Sequence, residues 1–352
     1  MEPFKPDMEM RTPANLKYLK IGLLAFFCLA GVSAVYGIWW FVVANQFESS
    51  LDAWIEQQQA QGITVTYKRR TQSGFPNAIQ IKLASPQLSS ERPGLGTWSA
   101  EQLTLRIQPW AINHLAFDAS GRHQWQDPSS GRDQTMQATA RKMAGAAELT
   151  NGRLSSITSK IESLVIDGFQ GAEKLQMAES EFYFTQLLTA TPAFKIRLHN
   201  ILLPPSAEAP LGDRIGHFDA KGTLNGAIEM RSWPQALVLW RDSGGTLDFD
   251  AIDLNYPPLR MRGDGTLALD EDMQPVAALS VKAEGFFEAI DALHGRGYIP
   301  LGTSFAVKIA LGVMSVKPQD GSDAYLDLPI SLQDQFLYAG SIKLLKLRPI
   351  HW

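Results

Sequence analysis

The chain is 352 residues long, 45% hydrophobic and 19% charged, with 28 glycines and 20 prolines; this is the composition of a folded protein, which excludes a wholly disordered or fibrous chain. Beyond the first 44 residues it carries 28 basic and 33 acidic residues, a net charge of −5. That balance argues against a nucleic-acid partner, whose phosphates demand a basic face.

Residues Ile21–Ala44 form a run of 24 without a formal charge, about 36 Å as a helix and enough to cross a bilayer. The sequence therefore predicts a tail (1–20), a transmembrane helix (21–44) and everything else on the far side. Lys17 and Lys20 precede the run, whereas Asn45-Gln46-Phe47-Glu48 follows it with no nearby lysine or arginine. The positive-inside rule then places the N-terminus in the cytoplasm and the large C-terminal part in the periplasm, anchored in the inner membrane by one span. Tyr36, Trp39 and Trp40 gather toward the outer end, where amphipathic rings favour the interface. The rival is a signal peptide cleaved after Val42-Val43-Ala44, but the run exceeds the roughly 7–15 residues of a secretory apolar region, so a retained anchor is expected. Cys28, the only cysteine, lies in this run with no lipobox before it. The large domain accordingly has no disulfide, thiolate nucleophile or cysteine metal site.

From 45 to 62, Phe47, Leu51, Trp54 and Ile55 recur at helical spacing among charged and amide residues, predicting an amphipathic connecting helix that ends near Gly62. The period then changes. Alternation at Ile63–Tyr67, Ile79–Leu83 and Leu103–Ile107, and one-parity apolar residues at Ile157, Ile161 and Val165, predict strands. Further strands are expected at Phe182–Phe184, Phe194–Leu198, Gly222–Met230, Thr246–Leu254, Arg260–Met261, Gly265–Leu269 and Ala277–Ala283. Two short helices are expected late, at Glu288–His294 and Thr303–Ser315, the second capped by Thr303 or Ser304 with Phe305, Ile309, Ala310 and Val313 on one face. The chain closes with a hairpin, Tyr325–Gln333 and Phe336–Leu344, around Asp334-Gln335. No strand-then-long-helix rhythm recurs, so the fold class is mainly β (α+β): a membrane helix followed by a large antiparallel, curved or groove-forming sheet at 63–352 with a few short helices. A subdivision is conceivable near 204–212, where Pro204–Pro210 is rich in proline and alanine.

These pieces resemble the Gram-negative envelope family catalogued as domain-of-unknown-function 2125. The resemblance rests on the single span, the Gly74-Phe75-Pro76 break, Trp98-Ser99-Ala100 leading into Leu103–Ile107, the Gly263–Asp270 turn-strand and the closing Leu328-Pro329-Ile330 hairpin. Gln335 departs from the pattern, which usually has glycine after the aspartate. The Gly-x-Gly-Thr-Leu-x-Leu-Asp segment is also similar to repeats in AsmA-type proteins, whose periplasmic sheets curl into an apolar groove for lipid. That similarity implies lipid handling.

No motif spells a reaction. His114, His123, His199, His217, His294 and His351 form no paired metal-binding motif and read as surface or capping residues. Arg241–Gly245 has an Asp-Ser-Gly segment without the context of a serine protease and reads as a turn between strands. The acidic residues Asp248, Asp250, Asp253, Asp264, Asp270, Glu271 and Asp272 lack the spacing of a calcium loop; Asp248 and Asp250 are expected on one wet sheet face. No catalytic, cofactor-binding or metal residue is nominated, and no cofactor is expected. The apolar stripes (Phe249, Ile252, Leu254; Leu267, Leu269; Leu279, Val281) must be buried against a second sheet, as a sandwich, or line a curled groove. The expectation is a non-enzymatic anchored protein that binds lipid or another amphiphile in envelope maintenance or lipid transport. The alternative is a structural or assembly factor docking an envelope protein, and an envelope hydrolase is least favoured.

Overall fold

A computed structural model describes residues 14–90, 96–126, 135–169, 173–205, 209–226, 233–319 and 323–350. It opens with helix α1 (Ala14–Ala60), 47 residues without interruption and about 70 Å long. Span and connecting segment are one rod. The side chains from Ile21 to Val35 are exposed, whereas Trp40, Val43, Ala44 and Leu51 are buried. Phe47, Leu51 and Ile55 pack onto the sheet as expected, while Trp54 points away from it.

Short strands follow: β1 (Ile63–Thr66), β2 (Arg69–Ser73), β3 (Ile79–Ala84), β4 (Gln87–Ser90), β5 (Thr97–Ala100), β6 (Gln102–Gln108), β7 (Ala111–Asp118) and β8 (Gly121–Gln126). In pairs they are four long strands, each bent near its middle. Backbone hydrogen bonds cross the bends from Ser85 N–H to Glu101 O, from Glu101 N–H to Arg122 O and from Ala119 N–H to Met143 O. The halves β7 and β8 both pair with β9 (Thr135–Thr150), at Ala144–Glu148 and at Thr135–Ala140. Beyond it come β10 (Arg153–Phe169), β11 (Glu173–Thr185), β12 (Ala193–Leu202), β13 (Arg214–Asn225), β14 (Thr246–Tyr256), β15 (Leu259–Leu269), β16 (Pro275–Glu284), β17 (Tyr325–Gln333), β18 (Phe336–Ala339) and β19 (Ile342–Lys346). With each bent pair counted as one strand, every pairing among the described residues is antiparallel and links strands consecutive in the chain, so the sheet is one open meander. There is no second sheet among the described residues, which removes the sandwich. The Pro204–Pro210 stretch, of which 206–208 lie outside the described residues, joins β12 to β13, and those two strands pair along their length.

Among the described residues, three helices interrupt the meander without breaking strand adjacency: α2 (Trp233–Asp242) between β13 and β14, and α3 (Phe286–Gly295) and α4 (Leu301–Met314) between β16 and β17. Helix α2 was not anticipated. The Arg241–Gly245 segment read as a turn between strands is its C-terminal end, with Gly244 at φ 75° and Gly245 N–H bonded to Trp240 O. The expected Gly222–Met230 strand is instead the end of β13, and its residues 227–230 lie outside the described residues. The Gly263–Asp270 turn-strand has no turn within Gly263–Leu269, which is continuous strand in β15. Helix α4 starts after Pro300, not at a Thr303 or Ser304 cap, and Ser304 is buried inside it. The closing hairpin forms around Asp334 and Gln335, both at positive φ (49° and 64°), the backbone of a type I′ turn reached without glycine.

Three cores hold these layers. Trp40, Val43 and Ala44 of α1 meet Ile79 and Ile107; Leu51 meets Ile81 and Leu83. Ile79 and Ile81 are fully buried, each worth roughly 1.5–3 kcal/mol over exposure. At the opposite end of the sheet, Phe286, Ile290, Val307 and Leu311 cover Leu326 and Leu328.

Candidate functional site

The register exposes a simple division between the two faces. One row of cross-strand partners runs Ile81, Leu105, Phe117, Gly145, Ser159 and Phe182. It continues through Ile196, Ala220, Ile252, Gly263, Val281 and Leu328. Eleven strand steps of about 4.8 Å make this a stripe of roughly 53 Å with a single hydroxyl in it. The next row on the other face runs Lys160, Glu181, Arg197, Asp219, Asp253, Arg262, Lys282 and Asp327. An apolar face and a charged face of one open sheet is the pattern of a sheet wet on one side only.

Helices cover the ends of the apolar face: α1 over β3 and β6, and α3 with α4 over β16–β19. Between them, most of the apolar side chains of β11–β14 are only half-buried. There a cavity of about 850 Å³ is lined by Phe184, Leu187, Phe194, Ile196, Phe218, Ala220, Leu224, Leu247 and Phe249 among others. The volume lies within the range of small-molecule sites. Its floor is built by parity: Phe194 pairs with Gly222 and Ile196 with Ala220, which leaves room beside large rings. Phe194 and Phe249 stand edge to face with centroids 5.7 Å apart. The 186–192 connection folds over the strand ends through Leu187 N–H to Ser155 O and Leu224 N–H to Pro192 O. Helix α2 closes the neighbouring corner, with Trp240 Nε1–H donating to Asn225 O at 2.7 Å.

The charged face carries the polar constellations that sequence spacing did not reveal. His199 Nε2 lies 3.1 Å from Asp219 and His217 Nε2 lies 2.9 Å from Asp253. The two histidines are cross-strand partners, so residues 18 apart in sequence become neighbours only through pairing. Burial pushes the Asp253 carboxyl up, but the His217 bond and the Arg262 charge outweigh it and hold it below its usual value. Glu181 behaves alike: burial raises it, and bonds from Tyr183, Lys160 and Arg197 lower it further. These are cross-strand ion pairs on a solvated face.

The remaining sequence candidates scatter. His123 is buried, contrary to the surface reading, with Nε2 2.7 Å from Ala119 O and its ring stacked on Trp98. His294 Nδ1 bonds Ile299 O, His114 lies exposed on β7, and His351 is outside the described residues. Asp248 and Asp250 do not share a simple face: a bulge at Asp250 breaks the alternation, and Asp248 accepts bonds from Asn225 and Thr266. Among the described residues, no three His, Cys, Asp or Glu side chains gather as a metal site. Of the residues expected on one face of α4, Phe305, Ile309 and Val313 are exposed with Leu301 and Ala310 is half-buried, while Val307 and Leu311 face the core.

No curated protein and no solved structure matches the chain. The family model described as an uncharacterized protein conserved in bacteria, domain-of-unknown-function 2125, matches residues 40–348, from the buried Trp40 through the last strand, and the chain belongs to that family.

Proposed function

We propose that this is a non-enzymatic, membrane-anchored envelope protein whose apolar sheet face holds the acyl chains of a lipid or similar amphiphile. In this reading the N-terminus lies in the cytoplasm and the sheet in the periplasm, which the lysines before the span support. The observation that carries the reading is the cavity of about 850 Å³ on β11–β14, walled by phenylalanine, leucine and isoleucine and continuous with a half-buried apolar stripe. Burial at about 25 cal/mol per Å² rewards transfer of an acyl chain into such a trough, and among the described residues no charged side chain lines it.

Native mass spectrometry of the full chain released from detergent tests this. Phospholipid should remain bound to the wild type. It should fall several-fold when Phe184→Glu puts a charge at the cavity mouth, and stay unchanged when Ala278→Glu puts the same charge on the opposite face. Lipid-free wild type, or equal lipid in both folded variants, overturns the proposal. The second reading, a scaffold that docks another envelope protein, would then lead. It is favoured by the exposed stripe Leu301, Phe305, Ile309 and Val313 on α4.

A further inference from the structure

The antiparallel meander sends its connections alternately to two edges of the sheet. One edge holds the turns at 74–78, 109–110 and 151–152, the 186–192 connection, α2 and the turn at 270–274. Helix α1 is fastened to this edge. Tyr36 Oη donates to Pro76 O, Trp40 Nε1 to Ala78 O at 3.0 Å and Trp39 Nε1 to Pro109 O at 3.4 Å. The Phe75 ring stands edge to face on Trp40 at 5.5 Å.

The length of the span fixes where this edge stands relative to a bilayer. The hydrocarbon core takes about 20 helical residues. Counted from Ile21, the first residue after the last lysine, that many residues end at Trp40, the residue seated on the 74–78 turn. The edge therefore meets the membrane surface, and its side chains suit that place. Phe75, Trp110 and Ile112 are 59%, 64% and 58% exposed, and Leu154 and Leu188 follow at 40% and 41%. Aromatic and aliphatic side chains in water at successive turns are costly, whereas Trp and Phe are at home at a headgroup interface. Further along the same edge the character reverses, with Asp242, Glu271 and Asp272 exposed. The charge change marks where the edge leaves the surface.

We propose that the N-terminal half of this edge, from the 74–78 turn to the 186–192 connection, is seated in the interfacial zone of the bilayer that α1 crosses. The apolar cavity, whose lining includes Leu187, Thr189 and Ala190 of that connection, then opens onto the leaflet and takes its occupant from it. This rests on α1 being a membrane span. The contact spans about six strand steps, roughly 29 Å. It fixes the tilt of the sheet, which a single helix alone leaves free to rotate.

Spin-label accessibility in full-length protein, reconstituted into vesicles of phosphatidylethanolamine and phosphatidylglycerol, tests it. Labels go on Trp110→Cys, Leu188→Cys and, on the opposite edge, Arg214→Cys, each with Cys28→Ser; a separate sample is labelled at native Cys28. Labels at 110 and 188 should collide with oxygen several-fold more than with a water-soluble nickel complex, and the label at 214 should show the reverse. Nickel access at 110 and 188 equal to that at 214, while Cys28 reports the bilayer interior, overturns the seating and leaves the span standing. Water access at Cys28 overturns both. Shielding of 110 and 188 from oxygen and nickel alike signals a second copy of the chain on this edge and also overturns the seating.

Discussion

Two residues in the apolar row show how tightly β7, β9 and β10 are drawn together. A side chain on Gly145 would meet Thr158 O at 2.0 Å and the Phe117 ring at 2.5 Å, so Gly145→Ala should lower the thermal midpoint clearly, at a cost of about 1–3 kcal/mol. Opposite it, Ser159 Oγ is buried with no hydrogen-bond partner. Removing that hydroxyl with Ser159→Ala should be neutral or stabilising by up to about 1 kcal/mol, in contrast to most buried substitutions. On the other face, Glu181 and Asp253 titrate below their ordinary values. Their contribution is present above the unfolded-state values and disappears as pH falls through the folded ones, below roughly pH 4. Glu181→Gln should therefore lower the thermal midpoint near pH 7, with the difference from wild type shrinking toward pH 3; a constant difference would refute the linkage.

The elements explain what the sequence did and did not disclose. Strands with clean alternation, such as Ile79–Leu83 and Ala277–Ala283, were legible because valine, isoleucine and leucine fall on one parity. Strand β9 was not, because its centre reads Met143-Ala144-Gly145-Ala146-Ala147, a run with no β-branched residue. Those small residues serve close packing against Phe117, a tertiary demand that overrides local propensity. Among the pieces of the first four, bent strands, β1, β3 and β6 were legible by their alternation, whereas β2, Arg69-Arg70-Thr71-Gln72-Ser73, has no apolar residue to show a period. Helix α2 had a usable signal in Ala236, Leu237 and Trp240 before Gly244, obscured by the Asp-Ser-Gly segment at its end. Helix α4 was legible as a helix, but its inward face was not, since apolar residues occupy both sides. That gives a sharp expectation: Val307→Asp should destabilise the chain by several kcal/mol, whereas Phe305→Asp should leave its stability within about 0.5 kcal/mol of wild type. Equal losses would mean that the Phe305 face is also covered.

At the scale of the whole molecule, the fold is a single open sheet carried on a membrane-length rod, with its apolar face covered at both ends and left half-open between them. Sequence parity was enough to anticipate an antiparallel sheet with apolar stripes. The choice between sandwich and trough lay in pairings between residues far apart in the chain, such as the row from Ile81 to Leu328, which no local period encodes. The cavity was equally hidden, since Phe184, Phe194, Phe218 and Phe249 come from four different strands and converge only through register. The proposed function places acyl chains on this face. Its most direct test is photocrosslinking of the full chain in vesicles with a phospholipid carrying a diazirine in its acyl chain, followed by peptide mapping. Adducts should fall on β12–β14, at Phe194, Phe218, Leu247 or Phe249, in addition to the span itself. Adducts confined to Ile21–Val35, or spread equally over the charged face of the sheet, would contradict it.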